Sequence, residues 1–136
     1  MTFSPTSLVS IILPTYNRAG LIMETIESVR KQTYSNWELL VIDDQSTDDT
    51  AAIVSAIPDE RVKLIGTAKR LGITGSRNEG LRRAGGDIIA FIDSDDLWAP
   101  AKLEKQVTAM KQYPDAALCL AGGYNFRTPG EPLEFF

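Results

Sequence analysis

Apolar residues in this chain gather in short runs, and the segments between them carry apolar residues at helical spacing. Five runs read as strands: Leu8–Leu13, Trp37–Asp43, Arg61–Ile65, Asp87–Ile92 and Ala116–Ala121. Most are continuously apolar rather than alternating, the mark of parallel strands covered on both faces. Between the first two, Leu21, Ile22, Ile26 and Val29 share one face of a helix over Leu21–Arg30. Ile53, Val54 and Ile57 do the same over Asp49–Ile57, with Ser46 and Asp49 spaced as a capping box. A weaker helical pattern covers Gly75–Ala84. Pro100–Gln112 opens with proline at a first-turn position and aligns Leu103, Val107 and Met110. This alternation predicts an α/β fold, a doubly wound, mainly parallel sheet. Residues 122–136 show no such pattern and are expected to form an irregular tail.

Composition narrows the function classes. A chain of 136 residues suits one domain with a real core. The net charge of −4, with no basic run, argues against a nucleic-acid partner. Cys119 is the single cysteine, so an internal disulfide and a Cys-rich zinc site are excluded; it is expected in the core. No histidine is present, which removes Ser-His-Asp and Cys-His catalysis. The first apolar run, "LVSIIL", is short and stopped by Pro14, and no stretch is long enough to span a bilayer. The expected compartment is the cytoplasm.

The polar residues are concentrated where three of the strands end. The first strand runs into "PTYN", Pro14–Asn17, the second into "DDQSTDDT" from Asp43, and the fourth into "DSDD" from Asp93. In an open α/β sheet, ligands bind beyond the carboxyl ends of the strands. Asp93 and Asp95 can offer two carboxylates to one hard cation, Mg²⁺ or Mn²⁺, that also binds substrate phosphates. A solvated acidic turn is the plainer alternative, and Asp96 is as well placed to cap the next helix. Asp43 precedes its helix, so a helix-dipole role suits it poorly; its carboxylate could accept an N–H from a flat heterocycle such as uracil. Asp44 could serve a ribose or the metal region. Thr15, Tyr16 and Asn17 supply a hydroxyl, an aromatic face for stacking and an amide, or simply turn chemistry. In "RLGITGSRNEG", Arg77 could reach a phosphate or base and Asn78 could hold backbone; a helix start with a solvated arginine fits equally well.

Taken in order, "VSIILPTYNR", "SVRKQTYSNWELLVIDDQSTDDT", "GSRNEGL" and "GGDIIAFIDSDDLWAP" resemble the family 2 glycosyltransferases. The likeness covers roughly residues 8–121 and implies the nucleotide-binding part of a truncated, Rossmann-like glycosyltransferase A fold. By that resemblance Pro14, Thr15, Tyr16 and Asn17 border the nucleotide. Asp43 takes the uracil N–H, with Asp44 close by. Arg77 and Asn78 fall in the block beside the nucleotide. Asp93 and Ser94 lie nearer the ribose, and Asp95, with Asp93, holds Mn²⁺ or Mg²⁺. The implied reaction is inverting transfer from a nucleotide-sugar, UDP-linked by preference, to an acceptor glycan or lipid-linked sugar. A catalytic base is expected beyond residue 136. Gly20 and Arg70 depart from the family pattern, standing where many relatives have Glu and Asn. Association with the inner membrane face, and self-association through apolar surface near the fifth strand and Phe135–Phe136, are further expectations. Two other readings compete. One is a non-catalytic nucleotide-binding or assembly module. The other is an Mg²⁺-dependent phosphotransfer domain, in which Asp-x-Asp follows the first strand rather than the fourth.

Overall fold

A computed structural model describes residues 7–125 and 134–135. Four strands form one parallel sheet: β1 (Val9–Thr15), β2 (Trp37–Asp43), β3 (Val62–Gly66) and β4 (Ile88–Phe91), in the spatial order β3-β2-β1-β4. Helices α1 (Ile22–Arg30), α2 (Thr50–Ser55), α3 (Gly72–Arg83) and α4 (Lys102–Gln112) alternate with the strands or follow them. Every residue of β1 and β2 is buried, as their unbroken apolar runs require of central strands. One face of the sheet packs Val9, Ile11 and Leu13 against Ile22, Ile26 and Val29 of α1, Val54 of α2 and Leu103 and Val107 of α4. The other face presents Ile12, Leu40 and Ile42 to the side covered by α3. Full burial of each such side chain contributes roughly 1.5–3 kcal/mol.

The expected fifth strand does not form. Residues 116–121 carry no strand, and Leu118 and Leu120 are 71% and 82% exposed. An apolar run becomes a strand only when it pairs along a sheet edge, and among the described residues nothing pairs with the outer edge of β4. Cys119 is accordingly half-buried rather than in the core. The tail is not wholly irregular either. Tyr124–Asn125 (β5) pairs antiparallel with Glu134–Phe135 (β6), a ladder of two residues a side that no periodicity could announce. The side chains of Phe135 and Phe136 lie outside the described residues. Ser46 and Asp49 make no capping box: Asp49 makes no side-chain cap, and Asp48 instead accepts the Thr50 N–H at 3.0 Å.

At the amino ends of the strands, an ionic cluster around the buried Glu38 ties three strands together. Glu38 of β2 accepts from Ser10 Oγ at 2.5 Å, Lys63 Nζ at 2.8 Å and the Gly85 N–H at 2.9 Å. Burial pushes the Glu38 carboxyl up, but these three donors together bring it below the ordinary range. A buried carboxylate so fully paired disfavours any slip of β2, because each shifted register would strand the charge.

Asp59, in the turn before β3, is clasped by two arginines. Arg61 Nη2 lies 2.8 Å and Arg30 Nε 3.2 Å from Oδ2, and these donors hold the carboxyl at about 2 against an ordinary 3.8. A folded-state pKa below the unfolded value stabilises at neutral pH, and that contribution disappears as pH falls from about 4 toward 2. Asp59→Asn is therefore expected to lower stability at pH 7 by about 1 kcal/mol, the partners being partly solvated. Urea titrations of both proteins at pH 7 and near pH 2 check this, the gap closing in acid.

Candidate functional site

The strand order places the site. From β1 the chain builds β2 and β3 on one side, then returns to lay β4 on the other. The crevice at that reversal, beyond the carboxyl ends, is where parallel sheets bind ligands. The loops after β1, β2 and β4 all open there, as their polar endings predicted.

Two of these loops are bolted together. Asn17, at φ 50°, donates its own N–H to Ser46 Oγ at 2.9 Å and accepts the Thr47 N–H on Oδ1 at 2.8 Å. Asn17 thus serves the loop itself, a left-handed turn position that asparagine tolerates. Ser46 in turn donates its hydroxyl to Asp43 Oδ1. Asp43 is buried at the end of β2, and its second oxygen has only a long 3.4 Å contact from the Ser46 N–H. That oxygen retains capacity to accept a ligand donor.

Asp44 is spent internally. Its Oδ1 accepts the Leu71 N–H at 2.7 Å and Thr67 Oγ1 at 3.0 Å; its Oδ2 accepts the Gly72 N–H at 2.9 Å and Arg70 Nε at 3.2 Å. Burial raises this carboxyl, and the four donors outweigh burial and lower it. Asp44 therefore fixes the entry to α3, where Gly72 adopts φ 69°.

A cleft of about 220 Å³ lies above these groups. Pro14, Thr15 and Tyr16 form one wall, Asp44, Arg70 and Gly72 another, and Ser76 and Ser94 close it. Arg70 lies over the Tyr16 ring, 3.4 Å from its centroid. At the acidic turn, Asp93 Oδ1 accepts from Arg77 Nη2 at 2.7 Å, and Asp95 is half-exposed, 4.0 Å from Arg18 Nη2. Partial burial, then the charges of Asp93 and Asp95, push the Asp96 carboxyl above its ordinary value. Asn78 is exposed and does not line the cleft.

Four buried side-chain polar atoms lack a partner among the described residues: Thr15 Oγ1, Ser76 Oγ, Arg77 Nε and Trp37 Nε1. Thr15 and Ser76 line the cleft, and Arg77 reaches the acidic turn beside it. Such orphans cost roughly 1–3 kcal/mol each unless something satisfies them; three of the four fall in or beside the cleft, and Trp37 Nε1 lies at the opposite, amino end of β2. Sequence reasoning passed over Ser76 and assigned no role to Arg18 or Arg70. The only available signal was their place inside or beside quoted blocks.

No group of three or more His, Cys, Asp or Glu residues among the described residues forms a ready metal cage. The donor set nonetheless suits a hard cation. Mg²⁺ and Mn²⁺ ordinarily take one or two carboxylates and complete their shell with substrate phosphate and water.

Comparison with known proteins gives a consistent answer. The model of "Glycosyl transferase family 2" matches residues 10–132. An Escherichia coli protein, UDP-Glc:alpha-D-GlcNAc-diphosphoundecaprenol beta-1,3-glucosyltransferase WfgD, is 50% identical over 103 residues, covering 76% of this chain and 41% of its own. The putative teichuronic acid biosynthesis glycosyltransferase TuaG of Bacillus subtilis is 38% identical over 131 residues, 95% of this chain and 52% of its own. The chain thus spans about half, or less, of the length of these relatives. Among solved structures, S. aureus TarS 1-349 in complex with UDP-GlcNAc superposes with a TM-score of 0.74 at 31% identity, over 78% of this chain and 32% of its own. The mannosyltransferase PcManGT from Pyrobaculum calidifontis, in complex with GDP-Man and Mn²⁺, gives 0.66 at 36% identity, over 76% of this chain and 31% of its own.

Proposed function

This chain belongs to glycosyl transferase family 2, and on that premise we propose that it is the donor-binding portion of an inverting, metal-dependent glycosyltransferase. The observation that carries the proposal is the gathering of unsatisfied polar atoms at a cleft, Thr15 Oγ1 and Ser76 Oγ in its lining and Arg77 Nε beside it, where the lining residues Ser94 and Arg18 adjoin Asp93 and Asp95. A nucleoside diphosphate fits this pattern. The free oxygen of Asp43 accepts an N–H of the base, Thr15 and Ser76 bond the nucleoside, and Asp93 and Asp95 face the diphosphate.

The chemistry is displacement at the sugar's anomeric carbon by an acceptor hydroxyl, which inverts configuration in a single step. Asp95 and Asp93 would hold a divalent cation, which would supply positive charge to offset that developing on the leaving group. Arg77 holds Asp93 in place, and Arg18 stands ready to exchange Asp95 for a phosphate oxygen. The proton acceptor for the attacking hydroxyl is not assigned among the described residues. The relatives favour a UDP-sugar donor and a diphosphate-lipid-linked sugar acceptor, which would bring this chain to a membrane surface. No helix among the described residues is long and apolar enough to cross one.

Isothermal titration with UDP, with and without Mn²⁺, tests the proposal. Binding at millimolar affinity or tighter is expected only with the metal. Asp95→Asn is expected to weaken metal-dependent binding by about 10- to 100-fold, as loss of a charged ligand does. Metal-independent binding, or none, would count against the proposal.

A further inference from the structure

Arg70 follows β3 and sits in the wall of the cleft. Its guanidinium carbon is 3.4 Å from the Tyr16 ring centroid, a stacking distance. Its Nε donates to the buried Asp44 at 3.2 Å, and Asp44 is held in turn by Thr67, Leu71 and Gly72. The guanidinium plane is therefore set by two contacts, one on its face and one on its edge. Its terminal nitrogens make no hydrogen bond among the described residues, and the side chain is 51% exposed. An arginine already ordered in this way gives up little further freedom when a ligand lands on it. Flat heterocycles stack on guanidinium planes much as they do on aromatic rings.

We infer that Arg70, backed by Tyr16 and anchored by Asp44, is the surface on which the base of a nucleoside diphosphate stacks, so that Tyr16 acts as a positioning residue behind it. The inference rests on the donor-site reading above. It differs from direct stacking on Tyr16, because Arg70 already covers one face of that ring. It also differs from a plain charge effect, because stacking needs the planar group, and lysine offers the same charge as a point without a plane.

Calorimetry separates these possibilities. UDP and inorganic pyrophosphate are titrated separately, each with saturating Mn²⁺, into the 136-residue chain and into its R70A and R70K variants. Both variants are expected to bind UDP about tenfold more weakly, the value of one stacked base. Pyrophosphate affinity is expected to stay within about twofold, since the base side alone has changed. Recovery of UDP affinity in R70K would reduce Arg70 to a charge and overturn the inference. So would a parallel loss of pyrophosphate affinity, unchanged UDP binding in both variants, or tighter UDP binding in R70A, which would make Arg70 a plug over Tyr16. An unaltered chain that binds neither ligand overturns the donor-site reading itself, and this inference with it.

Discussion

Asp44→Ala is expected to destabilise the fold by about 3 kcal/mol at pH 7. The carboxylate is 3% exposed and accepts four hydrogen bonds. Its removal strands the Leu71 and Gly72 N–H groups and the Thr67 hydroxyl, while the half-exposed Arg70 can turn to water. Asp44→Asn keeps the volume but points an NH₂ at these donors, so it is expected to recover less than half of the loss. The pH dependence follows from the lowered carboxyl. Its stabilisation is present above the ordinary carboxylate range and is lost as pH falls through the depressed folded-state value, so variant and parent converge in acid. Urea unfolding at pH 7 should show a midpoint lower by roughly 1–2 M. A shift below about 0.3 M would mean that the loop before α3 closes without this carboxylate.

The second large effect concerns Gly80, where α3 crosses β1. A Cβ built here would collide with Ile12 Cγ2 and lie 3.1 and 3.2 Å from its Cγ1 and Cδ1. Ile12 is fully buried in a central strand and has nowhere to move. Gly80→Val is therefore expected to cost about 2–3 kcal/mol through overpacking, more than any gain in helix propensity returns. The consequence reaches the cleft, because α3 also carries Ser76 and Arg77. Pushing α3 off the sheet moves both, and metal-dependent UDP binding is expected to weaken with stability. A double-mutant cycle isolates the contact. Ile12→Ala creates a cavity that Gly80→Ala partly fills, so the pair should cost at least 1 kcal/mol less than the sum of the single changes. Strict additivity would show that the helix and strand do not press on one another here.

The edge that holds the candidate site was legible because clusters of polar residues follow the carboxyl ends of three apolar strands. "PTYN", "DDQS" and "DSDD" each follow such a run, and a parallel sheet must bring those ends to one edge. Individual roles were less legible. Asp43 and Asp44 are adjacent and chemically identical, yet one leaves an oxygen with only a long 3.4 Å contact and the other is held by four donors of residues 67–72. Neighbouring residues on a strand end point to opposite sides, and which side holds the next loop is a property of the packed fold. The same limit explains the fifth strand. "AALCLA" is apolar enough to pair, but whether a run reaches an open sheet edge is set by the packed fold, and Leu118 and Leu120 remain exposed instead.

Local sequence was sufficient wherever the physics is local: strand from helix by periodicity, the parallel class by continuous apolar runs, and the edge that carries the candidate site by the polar residues that end those runs. Tertiary structure decided what depends on partners distant in the chain. It placed Arg70 on Tyr16 across 54 positions, joined Arg77 to Asp93, and left the Thr15 and Ser76 hydroxyls in a shared cleft without a partner among the described residues. Those contacts depend on the direction in which each side chain leaves the fold, and hydrophobic patterning carries no information about that direction.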